Sequence, residues 1–291
     1  PPPNPTPTRR DTTMKLRSSL LSSTITAVLL LGSATPTAAA ADGGGEGKIS
    51  VELYYEAQCP GCRAVLTGSF REAPGSEGFL DMADIALIPY GNAKEIPSDG
   101  SGDGDGGPYT YQCQHGPSEC RYNAIEACGL SKIECPHSAF RFIYCIETYD
   151  EDRSPEQDYG LVLRSCAALA GGAARAASDE IESCFNGTEG AELMHQGAVL
   201  TASLDPPHKY VPWIVVDGVH DDDLQNAVSD SLLAYVCGAY EGPNRSPACA
   251  SLPRDRDGYD VNHAAVGERL RSGVCPYLEG GEESAAALAA R

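Results

Sequence analysis

The sequence predicts an α/β fold in which a helical block is inserted between strands and the whole is stapled by disulfides. Three observations carry this. A period-2 strand runs directly into a C-x-x-C that opens a helix, strand character returns only after a long stretch of helical spacing, and twelve cysteines are spread over 291 residues. Twelve cysteines beside only six scattered histidines point to an oxidising compartment rather than to zinc sites in a reducing one. With 21 Lys+Arg against 41 Asp+Glu the net charge is −20, which excludes nonspecific nucleic-acid binding. The 42% hydrophobic and 21% charged content is that of a globular chain.

Residues 1–13 precede Met14 and read as a non-native upstream segment. Met14-Lys15-Leu16-Arg17, an apolar stretch from Leu20 to Leu31 and the run Ala38 to Ala41 read as a signal peptide over 14–41, too short and too rich in Ser and Thr to span a bilayer. No other segment is long and apolar enough to cross a membrane, so the product from about residue 42 is expected to be soluble. The main domain is expected over 42–249. The remainder, 250–291, is polar with little periodicity and reads as a removable tail.

Ile49, Val51, Leu53 and Tyr55 alternate with polar neighbours as the first strand. Cys59-Pro60-Gly61-Cys62 follows, with Pro60 suited to a helix's first turn and Ala64 to Leu66 continuing it. Ile85 to Ile88 is a second strand, and residues 97–108, rich in Gly, Asp and Ser, form a solvated low-complexity loop. From about 113 to 204 the spacing is helical: Tyr122, Ile125, Cys128; Phe142, Ile143, Ile146; Leu161, Val162, Cys166, Leu169. A strand broken by an early proline returns at Tyr210 to Val219, and Leu224, Val228, Leu232 and Tyr235 mark one amphipathic helix leading to Cys237.

The chemistry is concentrated at Cys59 and Cys62. A cysteine at a helix N-terminus sits among unsatisfied N–H groups and the positive end of the helix dipole, which lowers a thiol pKa to somewhere between ~3.5 and 7.5. Cys59 is then the nucleophile and Cys62, one turn on and expected to be less exposed, the resolving thiol. The alternatives are a plain structural disulfide or half of a zinc site, for which Cys113, His115 and Cys120 are the only candidate partners nearby. In thioredoxin-like folds a cis proline opening a later strand faces the C-x-x-C and leaves backbone groups free for an extended substrate; Val211-Pro212 stands in that place as the candidate substrate-binding pair.

The run Cys113-Gln114-His115-Gly116-x-x-Glu119-Cys120-x-x-Asn123-x4-Cys128, downstream of the C-x-x-C, resembles the signature of the gamma-interferon-inducible lysosomal thiol reductase (GILT) family. Tyr54-Tyr55-Glu56-Ala57, Ile88 to Ala93 and Pro206-Pro207-His208-x-Tyr210-Val211-Pro212-Trp213 extend the resemblance over about 49–249. It implies a thioredoxin-like core with a helical insertion, reduction of protein disulfides at acidic pH in an endolysosomal or vacuole-like compartment or after secretion, and redox roles for Cys59 and Cys62. The signature itself reads as structural. No metal, nucleotide or other cofactor is called for. The partners are disulfide-containing proteins and a small thiol or dithiol electron donor.

Ten cysteines remain beyond the active pair, an even number that favours disulfides of unreadable connectivity, while Cys135 and Cys275 have no counterpart in the family pattern and could pair or stay free. Asn186 and Asn244 head N-glycosylation sequons. Isolated His115, His195 and His208 read as structural groups more readily than catalytic ones. Two other functions stay open at this level: an oxidase or isomerase using the same dithiol, and a noncatalytic disulfide-rich binding protein.

Overall fold

The structure, a computed structural model, describes residues 47–97, 109–149, 158–252 and the backbone of Cys275–Pro276. The signal-peptide segment, residues 98–108 of the low-complexity loop and nearly all of the tail lie outside the described residues.

β1 (Ile49–Tyr55) is the centre of a three-stranded sheet of order β2-β1-β6. It pairs in parallel with β2 (Ala83–Pro89) and antiparallel with β6 (Trp213–Val216). The parallel pairing demands a crossover, which α1 (Pro60–Thr67) and α2 (Ser69–Gly75) provide. Strand alternation sends side chains to two separate cores. Val51, Leu53, Tyr55, Ile214 and Val216 join the main cluster with Phe70, Phe142 and Ile146, while Tyr54, Ile88, Trp213 and Val215 form a smaller one with Tyr90 and Met194. This strand order, with the helical crossover and the C-x-x-C just after β1, is a thioredoxin-like core.

β3 (Lys94–Pro97) and β4 (Tyr109–Gln112) form an antiparallel pair before the helices. Six helices follow: α3 (Pro117–Lys132), α4 (Pro136–Thr148), α5 (Tyr159–Ala170), α6 (Gly172–Ala176), α7 (Ser178–Asn186) and α8 (Thr188–Ala202). Disulfides pin this block: Cys128–Cys184 joins α3 to α7, Cys145–Cys166 joins α4 to α5, and Cys113–Cys120 ties the loop before α3 to its first turns. Each could contribute about 2–4 kcal/mol. In α5 the buried residues include Val162, Leu163 and Cys166, whereas Leu161 and Leu169 are 52% and 68% exposed, so these two face solvent and not the expected core.

β5 (Tyr210–Val211) precedes β6, separated from it by Pro212, whose peptide bond to Val211 is cis. The single helix expected over 224–235 is two, α9 (Asp222–Asp230) and α10 (Leu232–Ala239). Ser231 breaks it: with φ −159° and ψ 100° it is extended, and its side chain accepts from the Ala234 N–H, capping α10. Cys237–Cys249 fastens α10 to the short 3₁₀ turn at Pro247–Ser251. In the tail, the backbone of β7 (Cys275–Pro276) pairs antiparallel with β5, Val211 opposite Cys275. Among the described residues no helix is long and apolar enough to cross a membrane.

Candidate active site

β1 ends at Tyr55, the chain turns through Glu56, Ala57 and Gln58, and Cys59 becomes the N-cap of α1 with Pro60 in the first turn. The Cys59 N–H donates to the Glu56 carbonyl at 3.3 Å, and the Arg63 N–H donates to the Cys59 carbonyl at 3.0 Å. Neither Cys59 nor Cys62 is in a disulfide; both are thiols. Both are also fully buried, so the expected difference in exposure between them is not present. The Cys59 thiol donates to the Val211 carbonyl at 3.7 Å, which brings together two elements 152 positions apart in the chain. Burial, then the hydrogen bond and charge of Cys59, then the charge of Glu56 push the Cys62 thiol well above the ordinary range, partly offset by the Glu56 N–H, which donates to Cys62 Sγ at 3.4 Å.

The signature residues are packed against this turn. Asn123 Oδ1 accepts from the Ala57 N–H at 2.9 Å, and Gln58 Nε2 donates to Ser118 Oγ at 2.6 Å. Gly116, with φ +95°, makes the left-handed step into α3 that a side chain would resist. Glu119 is fully buried; its Oε1 accepts from the Gln114 N–H at 3.0 Å and its Oε2 from the His115 N–H at 3.2 Å. His115 Nδ1 is in short contact with the same Glu119 Oε2. Cys113–Cys120 closes this loop and Cys128–Cys184 anchors the far end of the motif.

Glu56 is the group that sequence reasoning passed over. It is fully buried, its Oε1 accepts from the Asn92 N–H at 2.6 Å, and its Oε2 lies 3.7 Å from His115 Nδ1. Asn92 in turn donates through Nδ2 to Gln114 Oε1 at 2.7 Å. Gly91, at φ +57°, lets the loop approach: a Cβ there would lie 2.4 Å from Glu56 Cγ. Burial, then the charges of Glu119 and Cys59, push the Glu56 carboxyl well above the usual carboxylate range. The signal available in the sequence was a glutamate at the end of a core strand, three positions before the first cysteine. Two further buried acids flank Tyr55. Its hydroxyl donates to Glu126 Oε2 at 2.6 Å, and the Glu147 carbonyl accepts from Arg63 Nε at 2.8 Å.

Glu56, His115 and Glu119 hold ligand-type atoms within 4.8 Å of one another, the nearest approach to a metal-ligand set among the described residues. Main-chain N–H groups of Asn92, Gln114 and His115 already bond these carboxylates, so the cluster is organised as a hydrogen-bonded group. His195 is placed elsewhere, bonded to Glu95 Oε2 at 2.7 Å and stacked on Tyr109. Asn186 and Asn244 are both exposed.

A thioredoxin-like core with a reduced, helix-capping cysteine pair and a backbone carbonyl facing the first sulfur defines a thiol–disulfide oxidoreductase type of protein. Residues 50–169 match the family model described as gamma interferon inducible lysosomal thiol reductase (GILT). The gamma-interferon-inducible lysosomal thiol reductases of Carassius auratus and Mus musculus are 37% and 35% identical to this chain, over 74% and 70% of it and 77% and 73% of their own lengths. The gamma-interferon-responsive lysosomal thiol protein of Arabidopsis thaliana is 32% identical over 70% of this chain and 76% of its own. This chain belongs to the GILT family. Among solved structures, a DsbA of Chlamydia trachomatis is similar at 12% identity, over 64% of this chain and 88% of that one, with a TM-score of 0.46. The fold assignment rests on strand order and register, not on that likeness.

Proposed function

We propose that the protein reduces protein disulfides by a dithiol mechanism. The Cys59 thiolate attacks one sulfur of the substrate disulfide and expels the other as a thiol; Cys62 then attacks Cys59, releasing the second substrate thiol and leaving a Cys59–Cys62 disulfide. A small thiol or dithiol donor returns the pair to its reduced state. The observation that carries this reading is the pair of thiols at the N-terminus of α1 with the Val211 carbonyl 3.7 Å from the Cys59 sulfur. A substrate segment laid along Val211 and Pro212 would present its disulfide to that sulfur, and the pairing of Cys275–Pro276 with β5 supports this edge as one that accepts an extended chain.

The relatives named as lysosomal thiol reductases support an acidic endolysosomal site of action, or secretion, after entry through the secretory pathway. The helix N-terminus is the physical reason for a Cys59 thiolate to persist there. Insulin reduction tests the reading: Cys59→Ser is expected to abolish it, and Cys62→Ser to accumulate a mixed disulfide on Cys59. Activity retained by Cys59→Ser, or adducts mapping to another cysteine, would refute it. Alkylation of Cys59 only above about pH 8 would refute the acidic assignment.

A further inference from the structure

We propose that Cys275 stands in the place of a substrate cysteine, and that the Cys59–Cys62 disulfide formed in each turnover is passed to it as an internal Cys59–Cys275 disulfide; this rests on the dithiol reading above. The register carries the inference. β7 pairs antiparallel with β5, Cys275 opposite Val211 and Pro276 opposite Tyr210. Val211 is the residue whose carbonyl accepts from the Cys59 thiol at 3.7 Å. Residues directly opposite in an antiparallel pair lie about 4.5–5.5 Å apart and share one face, and successive positions alternate faces. Val211 belongs to the main core together with Cys59, whereas Tyr210 packs against the smaller cluster that holds Trp213. The position opposite Val211 is therefore on the Cys59 face, and the next position along β7 is not.

The other cysteines leave Cys275 few partners. Eight of the twelve are in the four disulfides, so a bond from Cys275 within the chain can go only to Cys59, Cys62 or Cys135. Cys62 has its sulfur on the Glu56 N–H and Cys135 caps α4; of the three, Cys59 alone is bonded to β5. Cys59 is also fully buried, although it must meet a protein disulfide. β7 lies along the edge that a substrate segment would take, so it has to leave before a substrate can enter.

The transfer needs no oxidant beyond the substrate disulfide already consumed. The Cys275 thiol gives up its proton and its sulfur attacks Cys59 Sγ; the Cys59–Cys62 bond breaks, and Cys62 leaves with that electron pair and takes up a proton. One disulfide is present before and after, so the exchange involves no net oxidation or reduction. Tethering gives the Cys275 thiol a high effective concentration beside Cys59. Burial, which holds the proton on Cys62, favours the side on which Cys62 is a thiol. Reduction by the small thiol or dithiol donor then frees the Cys59 sulfur and the edge together, so the tail keeps the oxidised enzyme closed to substrate until donor arrives.

The test is disulfide mapping of the full-length chain. Protein with its Cys59–Cys62 pair reduced is mixed with excess insulin and no donor, quenched in acid, alkylated and digested for mass spectrometry. A peptide pair linked through Cys59 and Cys275, from monomeric chains, is expected beside the Cys59–Cys62 form. Cys62→Ser is expected to divide its mixed disulfide on Cys59 between insulin and Cys275. Moving the cysteine by one position, Cys275→Ser with Pro276→Cys, is expected to reduce the internal link about tenfold or more, because one step along a strand changes its face. Full alkylation of Cys275, its bonding to Cys135 or to a second chain, or equal linkage from position 276 would overturn the proposal. Full alkylation of Cys59 after insulin in every variant would instead mean that the dithiol reading had failed.

Discussion

At Glu56 a carboxyl that the chain places one step past a core strand is pushed well above the usual carboxylate range by burial and by the charges of Glu119 and Cys59. Its folded pKa is above its unfolded one, so the stability it contributes is fully present below the ordinary glutamate value of 4.5 and is lost as pH rises through the folded value. Wild-type protein is therefore expected to lose more thermal stability between about pH 5 and about pH 8 than Glu56→Gln, measured by calorimetry on both. His208 and His220, pushed down by burial, act in the opposite sense, losing stability as pH falls below about 6.5, but they are common to both proteins and cancel in the comparison. Equal falls would show that Glu56 ionises freely. Cys135 is a second case of surroundings setting chemistry. It carries a free thiol at the N-cap of α4, lowered by hydrogen bonds from Ser138, and is more accessible than the buried Cys59. Alkylation of the native reduced protein, mapped by mass spectrometry, is expected to mark Cys135 before Cys59, and Cys135→Ser to keep its reductase activity. Neither position was legible as special: Glu56 read as a family-like neighbour, and Cys135 as an extra cysteine of open pairing.

Among the elements, periodicity located β1, β2 and β6 and the helices α3, α4 and α5 because a buried face repeats along the chain, but it did not announce the short β3–β4 pair or divide the rest of the helical block into α6, α7 and α8. It failed where a local hydrogen bond or a neighbouring helix decided the outcome. Ser231 divides one apolar stripe into α9 and α10 by capping the second, and Leu161 and Leu169 fit a helical pattern yet face outward. The junction of α3 and α4 depends on closeness that no pattern announces: a Cβ on Gly129 would sit 2.3 Å from Phe142 Cε1, in a ring that is fully buried. Gly129→Ala gains intrinsic helix propensity, roughly 1 kcal/mol at an open position, but must displace that ring at a cost of about 1–3 kcal/mol. A net loss of stability in urea unfolding is expected. A gain would show that Phe142 can move freely.

For the whole molecule, the described core closes with the Cys237–Cys249 disulfide, and only the two-residue β7 is seen beyond it. A chain ending at Leu252 is expected to keep its four disulfides and its thermal midpoint. Freed of an intramolecular competitor for the β5 edge, it is expected to reduce peptide disulfides with a kcat/KM raised severalfold, roughly as the loss of a tethered ligand allows. An unchanged kcat/KM would show that the tail does not occupy the edge substrates use. By itself the sequence determined the fold class, the family and a C-x-x-C at the start of a helix, because a strand's alternation, a C-x-x-C opening a helix and a long cysteine, histidine and asparagine signature are properties of neighbours along the chain. Only the tertiary structure decided the disulfide partners, the Val211 carbonyl at the Cys59 sulfur, and the buried contact between Glu56 and the His115–Glu119 pair. Those join residues from distant segments, and burial, which sets their chemistry, does not exist until the segments have packed.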